Sequence, residues 1–175
     1  GSTFDLSVSI FVEADLADQA YLFATVNLAQ TKVNRSLVYD LLDYSKARSP
    51  QKSCHDVSVA LDKHPSSPFV EMIKRLGNAT PGRTGETLTQ ATFVTALLPF
   101  VSIDPQKDRE LLARGKSLRM NDADYLRAPF RGLWVDGRDT DIARILIEYF
   151  GAVAERWPAA WDGREKGNIL PRTNG

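Results

Sequence analysis

Prolines divide this chain into short segments in which apolar residues recur at helical spacing. Ser49-Pro50 interrupts one such pattern, Pro65 closes the next, and Pro99 and Pro158 follow two others. Proline ends helices because it lacks the backbone N–H and its ring clashes with the preceding turn. The sequence therefore predicts a mainly α-helical domain built from several short helices and one long one.

The expected helices follow from apolar periodicity and from capping residues. Asp15 or Asp18 caps the first helix, whose apolar face includes Phe23, and Asp139 or Thr140 caps the last helix. Thr89 and Asp104 are typical N-caps, and Ser67 followed by Pro68 begins a short helix that buries Phe69 and Ile73. Residues 115–138 follow no clear pattern. The predicted helices span residues 15–27, 34–49, 52–64, 67–77, 89–99, 104–112 and 139–157.

The N-terminal stretch FDLSVSIFV alternates apolar and polar residues, which is typical of a strand with one buried face. A strand needs partners for its backbone groups, and residues 86–88 and 132–135 are the only weak candidates. The predicted organisation is therefore a strand within residues 1–14 that belongs to a truncated α/β half, a helical domain over 15–161, and a loop or tail over 162–175.

Composition excludes several classes of function. The 22 basic and 22 acidic residues cancel, so no chain-wide attraction to nucleic acid or membrane is expected. Cys54 is the single cysteine, which excludes an intrachain disulfide and favours a reducing cytoplasm. His55 and His64 lack metal-ligand spacing, and no apolar run is long enough to span a bilayer. No cofactor, metal or membrane partner is predicted, and the common phosphate-loop, nucleophile-elbow and zinc-hydrolase motifs do not occur.

Charge is unevenly distributed. Residues 1–29 carry four acids and no base, whereas residues 30–83 carry nine bases against five acids, which gives that segment a net charge of +4. Bases at helix ends and loops can reach phosphates, although an ordinary solvated surface has the same pattern. The candidates for DNA contact are Lys32, Arg35, Lys46, Arg48, Lys52, Lys74, Arg75 and Arg83.

The late aromatic residues have two interpretations. Tyr149, Phe150, Trp157 and Trp161 are rings that stack on nucleobases in single-strand binders, but their spacing favours a core stripe on a helix.

One stretch carries a more specific pattern, A-x-L-F-x-x-V-N-x-x-Q-x-x-V-N-x-S-L-x-Y-D-L, from Ala20 to Leu41. It resembles the DGQHR-domain family, which includes DndB-like proteins with a ParB-like fold. Ser67-Pro68-Phe69, Leu88-Thr89 and the late Tyr149-Phe150 follow in the order expected for that family. The resemblance covers most of the chain from Phe4 onward.

The Asp-Gly-Gln-His-Arg motif that names the family does not occur in this sequence. Together with Gly1-Ser2, which looks like an expression scar, this predicts that the chain is the C-terminal helical part of such a protein. The resemblance then implies a DNA-associated accessory or regulatory protein of a bacterial DNA-modification (phosphorothioation-type) or phage-defence system, with other proteins of that system as partners.

Two alternatives stay open, and no catalytic activity is assigned to this chain alone. In the first alternative, the chain is part of an NTPase or nuclease whose active site lies mostly in the absent DGQHR segment. In the second, the chain is a protein-interaction module. A homo-oligomer formed through the edge of the N-terminal strand is a further possibility. Polar residues within the stretch from Ala20 to Leu41 are expected to form a rim that faces a ligand or the motif-bearing half, although Asn34, like Ser36, is also a typical helix N-cap. These rim residues are Asn27, Gln30, Asn34 and Arg35.

Overall fold

The computed structural model describes residues 10, 12, 18–20, 22–23, 26, 39, 41, 47–75, 79–118 and 124–161. Two short strands, β1 (Ile73–Lys74) and β2 (Leu88–Thr89), pair in parallel. The predicted class, a mainly α-helical domain with a small β element, is confirmed. The helices with defined bounds are α1 (Pro50–Lys63), α2 (Gln90–Val101), α3 (Pro105–Ala113), α4 (Asp124–Arg127), α5 (Arg131–Val135), α6 (Asp139–Arg156) and α7 (Pro158–Trp161).

Side-chain caps set the starts of three helices. Ser49, Thr89 and Asp104 each accept a hydrogen bond of 3.1 Å from the backbone N–H three residues further on. Each such bond satisfies one of the donors that the first helical turn leaves without a partner. The predicted caps Thr89 and Asp104 are confirmed, whereas α1 begins two residues before its predicted start, because Pro50 occupies the first helical position.

The core lies where α1 packs against both α2 and α6. Each helix contributes residues at three- and four-residue spacing, as its apolar stripe requires. Trp134 of α5, Trp161 of α7 and Tyr39 also belong to this cluster. The buried hydrophobic residues that the three central helices contribute to this core are Cys54, Val57, Leu61, Val94, Leu97, Val101, Ile142, Ala143 and Leu146.

The predicted helix over residues 67–77 is wrong. Its first residues form turns, in which the Ser67 hydroxyl accepts a bond from the Phe69 N–H, and the chain then enters β1. Glu71 has a φ of 57°, a left-handed conformation that no α-helix continues. Phe69 and Ile73 are nevertheless buried, as the apolar pattern predicted.

The predicted end of the fifth helix at Pro99 is also wrong, because α2 continues to Val101. Pro99 stands in the last turn, where its missing N–H removes a single helical bond. The backbone N–H of Ser102 still bonds to the Leu98 carbonyl at 2.9 Å and closes the helix.

The β element does not lie at the N-terminal end of the described chain. Most of the predicted 4–12 strand lies outside the described residues, and the two described members, Ile10 and Val12, are not in a strand and are each 82% exposed. Residues 132–135, proposed as a strand partner, belong to helix α5. Trp134 in this helix is fully buried in the core. Leu88, in the other proposed partner, is part of β2.

Helix α6 begins at Asp139 without a side-chain cap, so neither Asp139 nor Thr140 has the predicted capping role. The core-stripe interpretation of the late aromatic residues holds for Phe150 and Trp161, which pack in or against the core. It is wrong for Tyr149 and Trp157, which are 61% and 51% exposed. The core covers only one side of α6, and these two rings lie beyond it.

The first predicted helix is described in part. Residues 18–20, 22–23 and 26 are helical, and Asp18 lies within the helix rather than at its cap. Ala20 is buried, whereas Phe23, assigned to the apolar face, is exposed. The other proposed cap, Asp15, and the predicted tail over 162–175 lie outside the described residues.

Candidate functional site

The four predicted rim residues, Asn27, Gln30, Asn34 and Arg35, lie outside the described residues. Two apolar members of the same sequence pattern are described and are buried, namely Ala20 and Tyr39. The pattern from Ala20 to Leu41 therefore includes core positions, and the structure leaves the role of its amides as a prediction.

Arg48, a predicted DNA contact, bonds to other residues of the fold. Its guanidinium donates to the Trp134 carbonyl and to Asp139 Oδ1 at 2.9 Å, and it lies over the Trp134 ring at 5.1 Å from the ring centroid. The same Asp139 accepts a 3.0 Å bond from the Ser53 hydroxyl, which in turn accepts the Trp134 indole N–H at 2.9 Å. Arg48 thus joins the start of α1 to α5 and α6.

Arg83, a second predicted DNA contact, pairs with a buried carboxylate. Its Nη1 donates to Asp62 Oδ2 at 2.9 Å, and Glu86 Oε1 lies 3.6 Å away. The bond to Asp62 raises the pKa of the Arg83 guanidinium. Asp62 Oδ1 also accepts the backbone N–H of Ile73 at 3.1 Å, so this pair fixes the loop before β2 against α1 and β1.

The remaining residues predicted to contact DNA lie in different environments. Lys52 lies 3.5 Å from Asp56 in a surface pair, and Lys74 and Arg75 are half-buried at β1. The side chain of Lys52 is 21% exposed and that of Asp56 is 46% exposed. Lys32, Arg35 and Lys46 lie outside the described residues.

A buried ion pair between α3 and α5 was missed by the sequence analysis. Arg131 donates to both oxygens of Asp108, at 2.6 and 3.0 Å, and the Ser102 hydroxyl donates to Asp108 at 2.6 Å. Burial alone would raise the pKa of the Asp108 carboxyl, but the bonds from Arg131 and Ser102 outweigh burial and hold this pKa below its usual value. No sequence pattern pairs residues 23 positions apart in separate helices.

The Cys54 thiol lies fully buried on α1. Burial raises its pKa far above the usual value, and the negative charge of Asp139 adds to the increase. The thiolate, which is the reactive form, is therefore not available in the native protein.

We expect iodoacetamide to leave Cys54 unmodified in the native chain at mildly alkaline pH and to alkylate it completely in denaturant. Mass spectrometry of the intact protein measures both. Complete alkylation of the native protein within minutes would contradict the buried position of this residue.

An apolar cavity of about 600 Å³ lies between α2 and α6, and it is the candidate binding site of this fold. Seven of the fourteen described residues that line it are aromatic. Its floor is built on Phe69, which is 2% exposed and has the rings of Phe150, Trp161 and Phe93 at centroid distances of 5.0, 5.3 and 5.8 Å. The contacts of Phe69 with Phe93 and Phe150 are edge to face, an arrangement that aromatic pairs prefer. The floor is therefore a preformed surface.

The mouth of the cavity is formed by residues that remain partly in solvent. Phe100 on α2 is 50% exposed, and Tyr149 and Ile145 on α6 are also exposed. The backbone N–H of Phe130 bonds to the Phe100 carbonyl at 2.9 Å and fixes the third side of the opening. Sequence analysis missed Phe100 and Phe130. The apolar pattern shows which face of a helix is apolar, but it does not show whether another element covers that face.

Polar groups are scarce in the described lining. Thr92 and Tyr149 carry its side-chain hydroxyls, and the Thr92 hydroxyl is already hydrogen-bonded to that of Thr89 at 2.8 Å. Among the described lining residues there is no Asp, Glu, His, Cys, Lys or Arg. These residues can hold an apolar group, and they supply no acid, base or nucleophile.

Elsewhere in the described ranges, no group of three or more His, Cys, Asp or Glu side chains is placed to hold a metal ion. In that same part of the chain, none of the helices combines the length and the apolar character needed to cross a membrane. Comparisons with protein families, with curated proteins and with solved structures found no match to this chain.

Proposed function

We propose that this chain is the helical part of a DNA-associated accessory or regulatory protein of a bacterial DNA-modification or phage-defence system. The observation that carries the proposal is the stretch from Ala20 to Leu41, which resembles the DGQHR-domain family. Of the pattern's described apolar residues, Ala20 and Tyr39 are buried and Phe23 and Val26 are exposed, so the proposal rests on the sequence pattern itself.

The basic residues divide into two groups under this proposal. Arg48 and Arg83 hold the fold together through Asp139 and Asp62. Lys52, Lys74 and Arg75 are the remaining described candidates for phosphate contact; Lys52 pairs with the exposed carboxylate of Asp56, and Lys74 and Arg75 are half-buried at β1. Fewer bases are thus available for DNA contact than the net charge of residues 30–83 suggests.

A double variant, Lys52→Ala with Lys74→Ala, tests this assignment. Each lost phosphate contact is expected to flatten the slope of log affinity against log salt by about 0.9, so the double variant should lose roughly 2 units of slope. The measurement is fluorescence anisotropy of labelled duplex DNA over a salt series.

The matched control is Lys107→Ala with Lys116→Ala, two exposed lysines outside the basic segment. It removes the same charge and is expected to leave the slope unchanged. Equal losses in both double variants would show that only net charge matters, and would overturn the assignment of Lys52 and Lys74.

A further inference from the structure

The cavity between α2 and α6 points to a function beyond DNA association. We propose that it binds an apolar aromatic small molecule, one molecule per chain. A volume of about 600 Å³ lies in the range of small-molecule sites, which are roughly 300–1,000 Å³ and mostly apolar.

The lining chemistry selects the class of ligand. A nucleobase or a sugar carries several hydrogen-bonding groups, and burying each of them without a partner is unfavourable. Only Thr92 and Tyr149 supply side-chain hydroxyls in the described lining, and Thr92 already bonds to Thr89. The cavity therefore disfavours nucleotides, even though aromatic rings surround it.

Aromatic lining favours a flat ring system over a flexible chain. Phe69 and Phe93 meet edge to face at an interplanar angle of 79°, so a planar ligand finds both ring edges and ring faces to pack against. A rigid ligand also loses less conformational freedom on binding than an acyl chain. A polar substituent on such a ligand would point to the mouth, where Tyr149 is exposed.

The test is a fluorescence titration of the 175-residue chain with N-phenyl-1-naphthylamine, a neutral aromatic probe. The proposal predicts saturable binding at one probe per chain, tighter than the binding of dodecanoate measured by displacement. Absence of saturation, or tighter binding of dodecanoate, would overturn the proposal.

A filling variant locates the binding. Ala96 on α2 lines the cavity and is exposed, so Ala96→Trp places a ring in the open space without removing any core residue. It is expected to weaken probe binding by about tenfold or more through steric exclusion. Ala152→Trp is the matched control, because Ala152 is an exposed helical alanine outside the described lining.

Probe affinity of Ala152→Trp should equal that of the wild type, and thermal unfolding checks that both variants fold. Equal affinity in Ala96→Trp and Ala152→Trp would place the probe elsewhere and overturn the proposal. So would a wild-type dimer that Ala96→Trp converts to monomer, because a second copy of the chain would then cover the cavity. This test uses no DNA, so its failure is distinct from that of the proposed function.

Discussion

Replacing Phe69 with alanine is expected to lower the free energy of unfolding by about 3–5 kcal/mol, the usual cost of deleting a buried aromatic side chain. Phe69 is almost fully buried, and its ring contacts those of Phe93, Phe150 and Trp161. Its loss removes the floor shared by α2, α6 and α7. Urea unfolding followed by far-ultraviolet circular dichroism measures the change.

Phe100→Ala is the matched control for this prediction. It makes the same chemical change at the mouth of the cavity, where the ring is half-exposed, and it should cost less than about half as much. Equal costs for the two substitutions would show that Phe69 is not the centre of the aromatic cluster.

The second large effect is expected at Arg131. Arg131→Met leaves the buried Asp108 carboxylate without its bidentate partner, and breaking a buried pair in this way costs about 3–5 kcal/mol. Adding Asp108→Leu removes the unpaired charge and should recover most of the loss, since apolar replacement of a whole buried pair is often neutral. Urea unfolding of the single and double variants measures both.

An exposed pair serves as the control. Arg138 lies 2.7 Å from Asp141 at the surface, and Arg138→Met should change stability by about 1 kcal/mol or less. If Arg131→Met were as mild as Arg138→Met, the buried pair would not stabilise the junction of α3 and α5.

The pH dependence of stability gives an independent measure of the same pair. The pKa of Asp108 is lowered in the folded protein, so its contribution to stability is fully present above the unfolded pKa of about 3.9 and is lost as the pH falls toward the folded value. Asp108→Asn should remove this part of the acid destabilisation. If the loss of stability at low pH were the same in Asp108→Asn as in the wild type, other carboxylates would be its cause.

Local features of the fold were predictable from the sequence. Thr89 and Asp104 cap helices as expected, because a capping bond involves residues only three positions apart. The burial of Phe69 was also expected, although the helix predicted over residues 67–77 does not form. Glu71 adopts a left-handed conformation that its residue type does not signal, and this turned a predicted helix into turns and a strand.

Long-range pairing was not predictable. Arg48 and Asp139 are 91 positions apart in the chain, and Arg83 shares its charge with a carboxylate buried on α1. A charge count over residues 30–83 treats these arginines as available for DNA, whereas the fold neutralises them. The cavity escaped prediction for a similar reason, since the apolar face of α6 extends past the helices that cover it.

The most direct test of the proposed DNA association is the affinity of this chain for duplex DNA across a salt series. The predicted result is binding whose log affinity falls linearly with log salt, with a slope of about −0.9 for each phosphate neutralised. No binding at the lowest salt concentration, or an affinity that salt does not change, would contradict a DNA-contacting role for this chain.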